Sequence, residues 1–103
     1  MQPIKGADLF KIFETDQFLK DLNKLDESQK IIIYRQIVKK TYPQLKNNPY
    51  FGKNIKKLKA YIPVTWRYRV GKFRLFYEIC DKEKIINITT ADLRGNVYKK
   101  EKI

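Results

Sequence analysis

The sequence predicts an α+β fold. An N-terminal strand and an antiparallel helical hairpin come first, then a three-stranded antiparallel meander, with the helices packed on one face of the sheet. Three observations carry that expectation. Apolar residues between positions 15 and 40 recur at helical spacing. Those between 64 and 90 alternate at strand spacing. Gly71-Lys72 interrupts the alternation, and a two-residue loop that begins with glycine fits a type II′ hairpin turn. With 103 residues, of which 43% are hydrophobic and 33% charged, the chain reads as one globular domain, 1–103, with a single core.

Residues 1–8, with Pro3 and Gly6, read as a flexible arm. Residues 9–13 are apolar enough for a short buried strand. Thr15 or Asp16 caps a helix that runs to about Leu25, with Phe18, Leu22 and Leu25 on one stripe. Asp26 or Ser28 caps the second helix. Its buried face is Ile33, Tyr34, Ile37 and Val38, with Lys30, Arg35, Lys39 and Lys40 outside. Pro43 lacks a backbone N–H and is expected to stop that helix within a residue or two. Residues 43–57, with Pro43, Asn47, Asn48, Pro49 and Gly52, then read as a loop.

The meander is the most legible stretch. Trp66, Tyr68 and Val70 share one face, and Thr65, Arg67 and Arg69 the other. Phe73, Leu75, Tyr77 and Ile79 alternate against Arg74, Phe76 and Glu78. A two-residue loop pairs Val70 with Phe73, Arg69 with Arg74 and Arg67 with Phe76, and both apolar sets then reach the core together. A turn at 81–84 leads to a third strand at 85–90. Asp92 onward is a polar tail, loosest at 99–103. An amphipathic hairpin and a half-apolar sheet bury each other, which leaves the second sheet face free.

Charge narrows the function. Lys and Arg number 23 and Asp and Glu 11, for a net +12. Residues 28–77 hold thirteen basic residues and no acid. Such a field attracts polyanions, nucleic acid first. The longest aliphatic run is Ile31-Ile32-Ile33, so no segment reads as a membrane span, and no apolar stretch near the N-terminus reads as a secretory signal. The sequence therefore points to a cytoplasmic protein. Histidine is absent and Cys80 is alone, which excludes Ser-His-Asp and Cys-His chemistry, a disulfide and a cysteine-rich metal site. No cofactor or metal is implied.

On the free face, Arg69 and Arg74 face each other across the hairpin, with Arg67 two residues along. Like charges placed so cost about a few tenths to 1 kcal/mol. An anion site explains their persistence; long Arg stems lying over Phe76 with wet heads explain it too. Three rigid guanidiniums suit phosphate. Lys56, Lys57 and Lys59 widen the patch, and Phe76 is the aromatic placed to stack on a base. Trp66 and Tyr68 read as core. Tyr98, four residues after Arg94, is either a site residue or an anchor for the C-terminus.

These residues resemble the RelE/ParE superfamily of toxins, on its RelE side. Lys57-Leu58-Lys59-Ala60 is similar to the family's K-L-K-G. The run Trp66-Arg67-Tyr68-Arg69-Val70-Gly71-Lys72-Phe73-Arg74-Leu75-Phe76-Tyr77 resembles its central aromatic-R-x-R-V-G-x-aromatic-R-x-x-Y. Arg94-Gly95-Asn96-Val97-Tyr98 resembles its terminal R-x-x-V-Y. The chain departs from the family at Leu93, where many relatives carry His, at Asp92, where some carry a cation, and at Ala60, where Gly is usual. The resemblance implies a RelE-like fold and a type II toxin that cleaves mRNA on the ribosome without a metal. The site it implies is Arg67, Arg69, Arg74, Arg94 and Tyr98. It also implies a small cognate antitoxin, partly disordered when free, that presents an acidic and apolar helix. A ParE-like gyrase inhibitor and a non-catalytic RNA- or ribosome-binding module are the alternatives.

Overall fold

Alternating burial over residues 65–92 builds the centre of a five-stranded sheet. The computed structural model describes residues 9–93. In chain order the elements are β1 (Lys11–Glu14), α1 (Asp16–Leu22), α2 (Glu27–Gln36), a π-helical turn (Ile37–Thr41), α3 (Tyr42–Asn47), β2 (Ile55–Leu58), β3 (Thr65–Val70), β4 (Phe73–Cys80) and β5 (Ile85–Asp92). The strand order is β1-β5-β4-β3-β2. Strands β2 to β5 pair antiparallel, and β1 lies parallel to β5. The expected α+β architecture holds, with the helices on a sheet two strands wider than the predicted meander.

Both helix starts follow from short polar caps. The Thr15 hydroxyl accepts the Phe18 amide at 3.3 Å and donates to the Ile88 carbonyl at 2.8 Å, so one side chain caps α1 and fastens it to β5. Asp26 caps α2 by accepting the Gln29 amide at 2.8 Å. The core joins Phe18, Leu22, Ile33, Ile37 and Leu45 from the helices to Tyr68, Val70, Leu75, Tyr77, Ile86 and Ile88 from the sheet. Glu14 at the end of β1 accepts the hydroxyls of both Tyr34 and Tyr42 at 2.7 Å, tying the edge strand to the second helix and to α3. Burial first, then the hydrogen bond to Glu14 and its charge, pushes the Tyr34 phenol up to about 12, and Tyr42 higher still.

The structure corrects several expectations. Pro43 does not end the helical run, because it stands in the first turn of α3, where its missing N–H is not needed. The π-turn just before it takes up an extra residue. That turn keeps Ile33, Ile37, Thr41 and Leu45 buried at four-residue spacing and leaves Val38 43% exposed, outside the face assigned to it. Helix α1 closes at Leu22, and Leu25 packs on the core from the connection. Strand β1 is an edge strand, with Phe10 buried just ahead of it and Phe13 exposed. The segment read as a loop over 43–57 holds α3 and β2. Strand β5 continues through Asp92. The 1–8 arm and the 99–103 tail lie outside the described residues. Among the described residues no helix is long and apolar enough to cross a membrane.

Candidate functional site

The turn at Gly71-Lys72 fixes the site. Gly71 has φ +60, while Lys72 has no positive φ, the signature of a type II′ turn. It pairs Val70 with Phe73, Arg69 with Arg74 and Arg67 with Phe76, the expected register. Across the other edge of β3, Lys56 pairs with Arg67 and Lys57 with Trp66. Side chains alternate along each strand. Arg67, Arg69, Arg74, Phe76 and Lys56 therefore share the sheet face opposite the core.

The arginines differ in their surroundings. Arg69 is exposed, and its amide donates to the Asn54 carbonyl at 3.0 Å. Arg67 is half-buried, and its Nε–H is buried with no hydrogen-bond partner among the described residues. Burial first, then repulsion from Arg69 and Arg74, pulls its guanidinium below the usual arginine value. Arg74 forms an ion pair with Asp92, its neighbour on β5. The repulsion expected to stand uncompensated is thus relieved from the third strand.

Not every predicted residue joins this face. The Lys57 ammonium lies over the Trp66 ring on the helix side, 5.8 Å from its centroid. Trp66 also meets Tyr50 edge-on at 5.6 Å. Tyr68 is buried and donates to Gln44 Oε1 at 2.7 Å. Both aromatics therefore belong to the core side. Lys59 is exposed just past β2, followed by Ala60 at φ +66, a left-handed conformation that suits glycine and explains why the family motif has Gly there. Arg94 and Tyr98 lie outside the described residues. Among the described residues no cluster of three His, Cys, Asp or Glu can hold a metal ion. A depression of about 590 Å³ between the helices, lined by Leu19, Leu22, Ile31 and Tyr34, belongs to the helical side and not to the arginine face.

A family model described as "ParE toxin of type II toxin-antitoxin system, parDE" matches residues 12–91. The chain belongs to this toxin family, within the RelE/ParE superfamily. Solved structures share the toxin's fold. The RelBE2 toxin–antitoxin complex of Mycobacterium tuberculosis superposes with a TM-score of 0.65 at 23% identity, covering 84% of this chain and 99% of that one. The archaeal RelE–RelB complex of Pyrococcus horikoshii gives 0.65 and 23%, covering 84% and 97%. The isolated RelE toxin of E. coli gives 0.57 and 18%, covering 89% and 94%. No curated protein matches the toxin significantly in sequence.

Two carboxylates that shape the toxin's arginine face escaped the sequence reading. From sequence alone Asp92 reads as tail, because nothing there marks the register shift between β4 and β5 at Phe76/Tyr77. Asp21 is 9% exposed on α1. Its Oδ2 accepts the Ala91 amide at 2.9 Å, and its Oδ1 accepts Gln17 Nε2 at 2.9 Å. Asp21 thereby pins the end of β5 beside Asp92. The one available signal was an acid at the C-terminal end of an amphipathic helix, where the helix dipole disfavours it.

Proposed function

We propose that this toxin is an endoribonuclease that cleaves mRNA at the ribosome and so arrests translation in the cytoplasm. The observation that supports it best is the set of three guanidiniums on one rigid hairpin face, one of them with a buried, unpaired donor. In metal-free cleavage the ribose 2′-oxygen attacks the adjacent phosphorus and the bond to the 5′-oxygen breaks. The products are a 2′,3′-cyclic phosphate and a 5′-hydroxyl. Negative charge gathers on the phosphoryl oxygens, where Arg67 and Arg69 stabilise it; a well-placed donor of this kind is worth about 3–4 kcal/mol. Arg74, which shares its charge with Asp92, borders the cradle. Tyr98 takes the proton from the 2′-hydroxyl, a role that requires its phenol to titrate below the free value of about 10. Arg94 hydrogen-bonds the leaving 5′-oxygen, which takes its proton from water. Lys56 and Lys59 hold the flanking backbone and Phe76 stacks on a base, while the ribosome supplies the alignment of the message.

The partner in this reading is a small antitoxin that folds an acidic, apolar helix onto the toxin, as the RelB-containing complexes of similar fold suggest. The name of the matching family favours a second reading, a ParE-like inhibitor of gyrase. Inducible expression with mapping of mRNA 5′ ends, alongside a DNA-supercoiling assay, separates the two. New cuts in translated messages that vanish in Arg69→Ala and Tyr98→Phe support the endonuclease. DNA damage with intact messages overturns it.

A further inference from the structure

The register shift in β5 does more than bend a strand. Phe76 pairs with Thr90 while Tyr77 pairs with Ile88, so Thr89 is the extra residue. In a regular strand two successive side chains point to opposite faces. Here Thr89 and Thr90 both line one depression, together with Thr65, Phe76 and Tyr61, and it encloses about 230 Å³. Thr65 and Phe76 belong to the arginine face, and Phe76 is the direct cross-strand neighbour of Arg67.

Tyr61 stands in the connection between β2 and β3 and is 54% exposed. Neither its hydroxyl nor that of Thr90 makes a hydrogen bond among the described residues. The Thr89 hydroxyl is already committed, donating to the Phe76 carbonyl at 3.1 Å. The depression thus offers two aromatic rings on its walls and unpaired hydroxyls beside them. It stands one cross-strand step from the half-buried Arg67 guanidinium. Cross-strand neighbours lie about 4.5–5.5 Å apart at Cβ, a spacing on the scale of one nucleotide.

We propose that Tyr61, Phe76 and the threonine rim form a slot for one unstacked base of single-stranded RNA, whose phosphate rests on Arg67. The slot deepens the endonuclease reading and rests on it, because it gives the arginine face a way to prefer certain nucleotides. The rings stack on the base, and the Thr90 hydroxyl, both donor and acceptor, meets its edge while Thr65 and Thr89, whose hydroxyls already donate to the Pro63 and Phe76 carbonyls, can still accept from it. The occupant is RNA rather than an apolar peptide because the adjoining charges are three guanidiniums and Lys56. An apolar peptide gains nothing from those charges; a nucleotide brings a phosphate to them.

The test is titration of the whole toxin with three labelled single-stranded RNA hexamers: oligo-U, oligo-A and an abasic sugar–phosphate strand. Base stacking on an aromatic residue predicts that the wild-type protein binds the better of the two base-bearing strands about 5- to 150-fold tighter than the abasic strand. Tyr61→Ala brings that strand down to the abasic value, while Tyr61→Phe retains the preference. A thermal melt confirms that each variant is folded. Equal wild-type affinity for all three strands, or a base preference that survives Tyr61→Ala, overturns the slot. So does failure to bind any hexamer. Mapping of cleaved messages in the same preparations judges the endonuclease reading separately. Loss of the slot with cuts still present leaves that reading standing, and absence of cuts with base preference intact overturns it without touching the slot.

Discussion

Asp92→Asn separates what the arginine face needs for folding from what it needs for binding. The carboxylate pairs with Arg74, and the two side chains are 17% and 32% exposed. An exposed pair is worth about 0.2–1 kcal/mol, and a hydrogen bond to a charged group about 1.5–3. Asparagine keeps an acceptor and removes only the charge, so the half-buried geometry predicts a loss of about 1 kcal/mol. For a chain of this size that lowers the melting temperature by roughly 4–8 °C. The same change strips the counter-charge from three clustered guanidiniums, so affinity for single-stranded RNA at low salt should rise. If Arg74 gains one phosphate contact, the slope of log affinity against log salt steepens by about 0.7. Thermal melts and RNA titrations at several salt concentrations read both effects. A variant that melts like the wild type and binds no more tightly would refute the account of Asp92 as the counter-charge. Weaker binding would mean that its carboxylate orients Arg74 for the phosphate rather than restraining it.

Three further outcomes follow from the same structure. Arg69→Ala removes one of two facing like charges, so it should leave stability unchanged or raise it by up to about 1 kcal/mol while abolishing growth inhibition; a steep fall in melting temperature would make Arg69 structural. Glu14→Ala removes the acceptor of two tyrosine hydroxyls and leaves that of buried Tyr42 unpaired, a loss of about 2–4 kcal/mol that calorimetry or denaturant titration measures. Alkali should destabilise the fold through its tyrosines. Tyr34 and Tyr50 are each raised to about 12 by burial first and then by hydrogen bonds to Glu14 and Asp81. A raised tyrosine favours the protonated, folded form, so its contribution is complete below about pH 10 and is lost as pH climbs through about 12. Tyrosine absorbance recorded during unfolding at pH 9 and 11 checks this, and equal stability at the two values would contradict it.

The sequence made some of this legible and hid the rest for identifiable reasons. The β3–β4 pairing was readable because Gly71 permits only a few turns and each of them fixes the facing residues. Both helix starts were readable to within a pair of candidates, and the structure takes Thr15 over Asp16 and Asp26 over Ser28. Strand β2 was hidden because it is four residues long and carries Lys56 and Lys57 side by side, so no apolar alternation marks it. The course of the chain through Pro43 was hidden because a π-turn leaves no distinctive residue pattern. Of the candidate site, Arg67, Arg69, Arg74, Phe76 and Lys56 are brought onto one face. Lys57 is turned to the helix side by simple parity, and the placement of Arg94 and Tyr98 lies outside the described residues. Tyr61 went unnoticed because a connection carries no periodicity from which its direction could be read.

The extra residue in β5 is in effect a half-period phase slip. Counted in strict alternation from Ile86 and Ile88, Thr90 and Asp92 would fall on the buried side, and Ala91 would point away from it. One added position exchanges them, so the last turn of the strand's rhythm serves the arginine face rather than the core. The composition of this face is therefore set by the count of residues as well as by their identity. Removing Thr89 alone would take out the bulge and leave Asp92 facing Arg74 in a regular ladder. Removing two would reverse the parity and send the Asp92 carboxylate toward apolar neighbours. Among homologous toxins, a strand one residue shorter at this point should lack the bulge and keep its counter-charge for the arginine on the neighbouring strand, and a strand two residues shorter should not keep it.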